Sequence, residues 1–413
     1  MRVRRLGGSR AGEIRITRFL RNRAVTVEEM FAEAAQRTAK RCQGRDVLVI
    51  QDTTVVRSQG GGGDYLHAAI ALDGADGAIL GLVDGGFLQR SSGRKAERRA
   101  LPIEEKQSFR WLETADQAAS VCTGAARITI IADREGDIYE AFALRPDGAD
   151  LLVRAAQDRS LEDGGKLFAA LDALPQASQA DLNLPAGPGR RARTARLALR
   201  FATMTLAQPN RRFRAGLPGA VEMQLIDVRE VSPAAGTPAI HWRLLTTRPV
   251  GDAAQAWAIV NLYRKRWAIE QMFRTLKTQG FDIEGIKIEE PQPRDKLITA
   301  ALIAAVAIQQ LVHSRDGVLN DGGPGTLRPY IDAFEPEDIL LLEAYCAKLE
   351  GKTLRQKNPH PRASLAYAAW VCARLGGWTG YYGKPGPVVM LHGWLEFQAA
   401  KRGINTLGLS INV

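Results

Sequence analysis

Two short apolar runs of the same design mark the first third of the chain. DVLVIQD (46–52) and RITIIAD (127–133) are rich in β-branched residues, and each closes on a carboxylate. Runs without polar alternation predict strands buried on both faces of a mixed sheet. Between them, 66–72 and 78–88 predict two further strands, with Asp73-Gly74 and Asp76-Gly77 supplying the turn of a hairpin. The glycine run Gly60 to Gly63 has no G-K-[ST] after it, so it predicts a flexible connector rather than a phosphate loop. Helical periodicity marks 28–41, with Thr26 as its cap and acid preceding base, and again 104–122. From about 156 to 238 the helical signal weakens. Pro175, Pro185, Pro188, Pro209 and Pro218 interrupt segments such as RLALRF (196–201) and VEMQL (221–225), whose period-two alternation predicts antiparallel, half-exposed strands. IHWRLLTT (240–247) predicts one more strand, after which a helix starts near Gly251. An apolar helix within 295–314 is expected to pack beside it. Gly322, Gly323, Pro324 and Gly325 mark a boundary, and 335–402 predict helices, with Trp370, Trp378 and Trp394 as core or interface anchors.

The stretch YRKRWAIEQMFRTLK (263–277) organises the rest. At about 100° per residue, Tyr263, Arg266, Glu270, Arg274 and Lys277 share one arc of a helix, while Leu262, Ile269, Met272, Phe273 and Leu276 form the opposite apolar face. A carboxylate among cations and a phenol suits a metal and a phosphate. The competing account is a solvated face laced with i,i+4 ion pairs.

Composition changes the picture in two ways. The formal net charge is +11, mostly from arginine, which favours a polyanionic partner. Arg190, Arg191, Arg193, Arg196, Arg200, Arg211, Arg212 and Arg214 make 156–238 the most basic part and predict a surface for a polyanion there. Four scattered cysteines (Cys42, Cys122, Cys346, Cys372) and five histidines show no ligand spacing, so neither a disulfide framework nor a zinc site is indicated. No apolar run approaches the ~20 residues that span a bilayer, and the basic N-terminus lacks a signal peptide's apolar segment. A reducing, intracellular setting without a membrane partner is expected.

Two strands that each end in an aspartate make a sharper signal than either alone, because ligands gather at the ends of parallel strands. For either aspartate the competing role is an N-cap. Asp52, Asp133 and Glu270 together can supply oxygen ligands for two Mg²⁺ ions. Such a pair activates water at a phosphodiester and stabilises the leaving 3′ oxygen. Arg266 and Lys277 would then hold flanking phosphates.

Here the chain resembles a known family. The spacing Tyr263-x2-Arg266-x3-Glu270-x6-Lys277 is similar to the Y-R-E-K signature of the DDE transposases of bacterial insertion sequences. Asp52 in IQDTT and Asp133 in ADREGDI resemble its two aspartate motifs, HWRLLTT its closing strand, and ARLGGW (373–378) its C-terminal region. The resemblance runs from about Arg18 onward. It implies an α/β fold: an RNase H-like core of mixed sheet and flanking helices, interrupted by an antiparallel β insertion and followed by a helical C-terminal domain. The corresponding divisions are 1–45, a helical remnant; 46–155 and 240–320, the two parts of the core; 156–239, the basic insertion; and 321–413, the dimerisation domain. It further implies Asp52, Asp133 and Glu270 as catalytic metal ligands, with two Mg²⁺ (Mn²⁺ substituting) and cut-and-paste chemistry. Double-stranded DNA is the implied partner, met by Tyr263, Arg266, Arg274 and Lys277, with a homodimer on DNA and a location at the bacterial nucleoid. Trp242 resembles the family residue that stacks on a flipped base, although a core aromatic on an inward strand face is the equal alternative. MRVRRLGGSRAGE resembles nothing in the family's end-recognition domain, so the expectation is that most of that domain is missing. An inhibitory relative acting through dimerisation and non-specific DNA binding therefore stands as the alternative to an active enzyme. A carboxylate-pair glycoside hydrolase would leave the arginine-rich segment unexplained.

Overall fold

The computed structural model describes residues 3–59, 62–89, 101–184, 191–210, 216–233, 236, 238–317 and 327–407. In chain order these form α1 (Val3–Gly7), α2 (Arg10–Arg21), α3 (Val27–Cys42), β1 (Asp46–Gln59), β2 (Gly62–Asp73), β3 (Ile79–Gln89), α4 (Arg110–Val121) and β4 (Arg127–Ala132). Then come α5 (Tyr139–Ala143), β5 (Ala149–Arg154), α6 (Leu167–Ala173), β6 (Ser178–Leu184), β7 (Arg193–Ala207), β8 (Ala220–Glu230) and β9 (His241–Thr246). The last third holds α7 (Ala253–Arg264), α8 (Trp267–Leu276), α9 (Pro291–Ser314), α10 (Asp338–Leu349), α11 (Leu365–Leu375) and α12 (Pro387–Leu407). The chain divides into a central unit, Gly44–Thr53 with Arg90–Trp267, and a terminal unit, Met1–Gln43, Thr54–Gln89 and Ala268–Val413.

The central unit is a mixed sheet in the order β1-β4-β5-β9-β8-β7-β6. β1, β4 and β5 are parallel, β9 runs antiparallel to β5, and β8, β7 and β6 continue antiparallel. Val47, Leu48, Val49 and Ile50 are wholly buried, as are most residues of β4, which is why these strands carry no alternation. β8 does alternate from Val221 to Leu225. β5 had no clear strand signal in the sequence; its run ADLLVR is short and flanked by charge.

Several boundaries differ from expectation. β1 does not stop at Asp52 but runs on to Gln59, and Gly62 and Gly63 belong to β2 rather than to a connector. The helix expected over 104–122 begins only at Arg110, after two 3₁₀ turns at Ile103–Glu105 and Gln107–Phe109. Gly60, Gly61, Pro185, Pro188, Arg190, Arg211, Arg212, Arg214, Gly322, Gly323, Pro324 and Gly325 lie outside the described residues.

In the terminal unit, β2 and β3 pair antiparallel through the predicted turn. Asp73 and Asp76 accept the N–H groups of Ala75 and Ala78 there, each two residues on, at 2.9 and 2.8 Å. α3 starts on a complete capping box, Thr26 with Glu29. It docks on β3, where Thr38 and Arg41 donate to the carbonyls of Leu82 and Leu80. α9 spans 24 residues and is long and apolar enough to cross a bilayer by length and composition alone. Within the unit it is a core helix, burying Leu297, Ile298, Leu302, Ala305, Ile308 and Leu311. Its buried Gln309 and Gln310 donate to Thr275 Oγ1 and the Ile79 carbonyl at 2.7 and 2.9 Å. The first of these bonds seats α9 beside α8, as expected. Trp370 is buried in the core shared by α9–α12, with Trp378 and Trp394 packed against it.

Candidate active site

Asp52 and Asp133 lie in the central unit on adjacent parallel strands. The last paired residues are Ile50 and Ile131, so each aspartate sits two positions further along, at corresponding places. Asp133 follows β4 directly and caps the turn Arg134–Gly136, its Oδ1 accepting the Glu135 N–H at 2.7 Å. The competing cap role is therefore realised, and it employs Oδ1. Asp52 Oδ1 accepts the Thr53 N–H at 2.7 Å, and Oδ2 meets Arg266 Nη1 at 3.2 Å. Among the described residues of this unit, no third His, Cys, Asp or Glu joins the pair as a metal-holding group.

Cations gather about the two carboxylates. Arg110, at the start of α4, donates to Thr53 Oγ1 and to Glu135 Oε2. Burial pulls its pKa down, while the charges of Glu135, Asp133 and Asp52 push it back up. Arg154, at the end of β5, donates to the His241 carbonyl at 2.8 Å. Burial lowers its pKa; Tyr263 opposes that shift, and Arg134 and Arg266 add to it.

Tyr263 and Arg266 reach this cluster by a route the helical wheel did not give. The sequence predicts one continuous helix over 263–277, but α7 ends at Arg264 and α8 begins at Trp267. At the junction, Lys265 N and Arg266 N donate to the Leu262 and Tyr263 carbonyls, each three residues back. This tighter turning advances the chain by about 120° per residue and resets the phase of the wheel. Tyr263 is consequently buried rather than on a solvated arc, with burial raising its phenol pKa against the pull of Arg266 and Arg154. The Arg266 guanidinium stands 5.9 Å from its ring centroid, and half-buried Trp242 packs on the other residue of the pair, 6.3 Å from Tyr263 at 60°.

The other three predicted residues belong to the terminal unit. Glu270 lies in the first turn of α8 and Arg274 in its last. Lys277 falls past the helix end and pairs with Glu284 at 3.0 Å.

A model of the family described as Transposase DDE domain matches residues 43–307. The chain belongs to the DDE transposase family. DNA is accordingly the partner of this transposase, and the mixed α/β architecture is consistent with its domain.

The arginine-rich segment of the transposase is more committed than its sequence suggests. Arg193 pairs with Glu230, Arg196 with Asp181 at 3.0 Å, and Arg200 with Asp227 at 3.6 Å. Sequence reasoning also passed over Arg110, Glu135, Arg154 and Asp137. Asp137 is buried and accepts from Ala156 N, Gln157 N and Arg159 Nε at 2.7–2.9 Å. Its place four residues after Asp133 gave a signal; nothing near Arg110 or Arg154 in the sequence did.

Proposed function

We propose that this transposase cleaves DNA ends and joins the 3′ end to target DNA by two-metal DDE chemistry on an RNase H-like core. The observation that carries the reading is the placement of Asp52 and Asp133 at corresponding positions on adjacent parallel strands, with the Arg110 guanidinium near both. Both are carboxylates, the oxygen donors that Mg²⁺ and Mn²⁺ prefer, so the donor set fits. Glu270 is assigned as the third ligand by its place in the Y-R-E-K spacing, four residues after Arg266. When bound, two divalent cations supply activation of the attacking oxygen and charge relief at the leaving 3′ oxygen.

The chain's own groups do the rest. Arg266 neutralises Asp52 in the free protein, and its guanidinium would hold a DNA phosphate were Asp52 to bind a cation. Tyr263, buried beneath it, offers its hydroxyl to the same backbone. Trp242, tilted against Tyr263, presents a face on which an unpaired base can stack. Lys277 and Arg274 contact neighbouring phosphates. The Lys277–Glu284 pair is no obstacle, since Glu284 is half exposed and such pairs contribute about 0–1 kcal/mol.

Nicking of supercoiled plasmid in Mg²⁺ or Mn²⁺ tests the assignment. Asp52→Asn, Asp133→Asn and Glu270→Gln should each lower the rate by at least about 10³-fold, equivalent to roughly 4 kcal/mol, with DNA retention in gel shifts largely kept. Parental nicking by the three variants would refute the DDE mechanism.

A further inference from the structure

Each aspartate of the pair is held by the backbone of a residue just after it. Thr53 N–H donates to Asp52 Oδ1 and Glu135 N–H to Asp133 Oδ1, both at 2.7 Å. The side chains of those same two residues meet on one guanidinium. Arg110 Nε and Nη2 both lie 3.3 Å from Thr53 Oγ1, and Nη2 lies 3.0 Å from Glu135 Oε2. The third nitrogen, Nη1, donates to the Gln107 carbonyl at 2.6 Å, which fixes the fork against the 3₁₀ turn before α4. The guanidinium thus bridges β1, just past Asp52, and the turn that follows Asp133, with 18 % of its side chain exposed.

We propose that Arg110 is a positioning residue for metal binding: it clasps the segment after Asp52 to the turn after Asp133 and so fixes the spacing of the two carboxylates. This inference rests on the reading of Asp52 and Asp133 as metal ligands. A pair of anions repels, and beyond the last paired residues of β1 and β4 the ladder no longer holds the two segments together. A guanidinium can do so because its planar fork serves several acceptors at once, whereas an ammonium places the same charge without that geometry. Glu135 is largely exposed, so its arm is the weaker one, and Thr53 carries more of the clasp.

Mn²⁺ binding to the full chain, followed by calorimetry, tests the clasp alongside plasmid nicking. Arg110→Lys keeps the charge and loses the fork. Its Mn²⁺ dissociation constant should rise about tenfold, with the metal-free Tm within about 2 °C of the parent, and saturating Mn²⁺ should bring nicking back to within about threefold. Thr53→Val should weaken Mn²⁺ binding in the same direction by a smaller factor. The double variant should bind no more weakly than Arg110→Lys alone, as expected of two residues acting through one contact. Parental Mn²⁺ affinity in Arg110→Lys, or additive losses in the double variant, would overturn the proposal. A lowered rate that excess Mn²⁺ does not restore would overturn it as well. Asp52→Asn in the same titration separates the two levels: if it binds Mn²⁺ like the parent, the ligand assignment itself has failed.

Discussion

Two aspartate–arginine clusters of the central unit differ in what surrounds the carboxylate. At one, Asp227 of β8 is wholly buried, ion-pairs with Arg229 at 2.7 Å, Arg200 at 3.6 Å and Arg243 at 3.7 Å, and hydrogen-bonds His241 Nε2 at 2.8 Å. One carboxylate ties β7, β8 and β9 together, and its side chain is closed to solvent. At the other, Asp52 retains 18 % exposure, pairs with Arg266 and lies, like Asp133 on the next strand, near Arg110. The difference lies in burial. A wholly buried carboxylate surrounded by cations holds the fold, because out of water it depends on those cations for its neutralisation. Two part-exposed carboxylates level with each other on neighbouring strands stay within reach of solvent, and a soluble cation can compete for them.

The contrast breaks or sharpens under substitution. Asp227→Ala should give the largest stability loss, about 3–5 kcal/mol in chemical denaturation, because it removes the buried carboxylate on which part-buried arginines of β7, β8 and β9 converge. Asp52→Asn should cost under about 1 kcal/mol or stabilise, since it relieves repulsion within the pair. Equal losses in the two variants would erase the distinction.

A smaller effect is expected at Gly136, in the turn between Glu135 and Asp137. A Cβ there would lie 2.5 Å from the Ala132 side chain and 3.6 Å from Trp111. Gly136→Ala should therefore cost about 1–3 kcal/mol by overpacking, and slow nicking by displacing Asp133. Unchanged Tm and rate would show that the turn after β4 has slack.

Tyr263→Phe isolates the hydroxyl while keeping the ring against Trp242. DNA affinity should fall by about 3–10-fold, the value of one hydrogen bond, with Tm little changed. Parental affinity would leave Tyr263 a packing residue only.

The smallest effect is a pH dependence. Arg193, and secondarily the Ile240 N–H, hold the Glu230 carboxyl below its ordinary 4.5. A depressed folded pKa adds stability that is fully present above about pH 4.5 and lost as pH falls through the folded value. Tm measured from about pH 6 downward should drop less steeply for Glu230→Gln than for the parent. Parallel acid limbs would remove Glu230 from the account.

How much of this was legible beforehand varied with the range of the forces involved. The two buried runs ending at Asp52 and Asp133, the β2–β3 turn and the Thr26 cap were all visible, because periodicity, turn chemistry and capping depend on neighbours in the chain. The continuous helix over 263–277 misled for a local reason: three consecutive cations and two i→i−3 bonds broke it at Lys265, and no wheel anticipates that phase shift. That Arg193, Arg196 and Arg200 are ion-paired was not legible for a distant reason, since Glu230, Asp181 and Asp227 come from other strands.

By itself, then, the sequence determined most of the elements and the two buried runs that close on Asp52 and Asp133. It did so because hydrophobic period and motif spacing are one-dimensional quantities. Only the tertiary structure decided which charges meet. The register of β1 on β4 sets Asp52 level with Asp133, and the placement of α4 brings Arg110 from some fifty residues away to clasp Thr53 to Glu135. Pairing partners so far apart along the chain are fixed by strand order and packing, which no local pattern encodes.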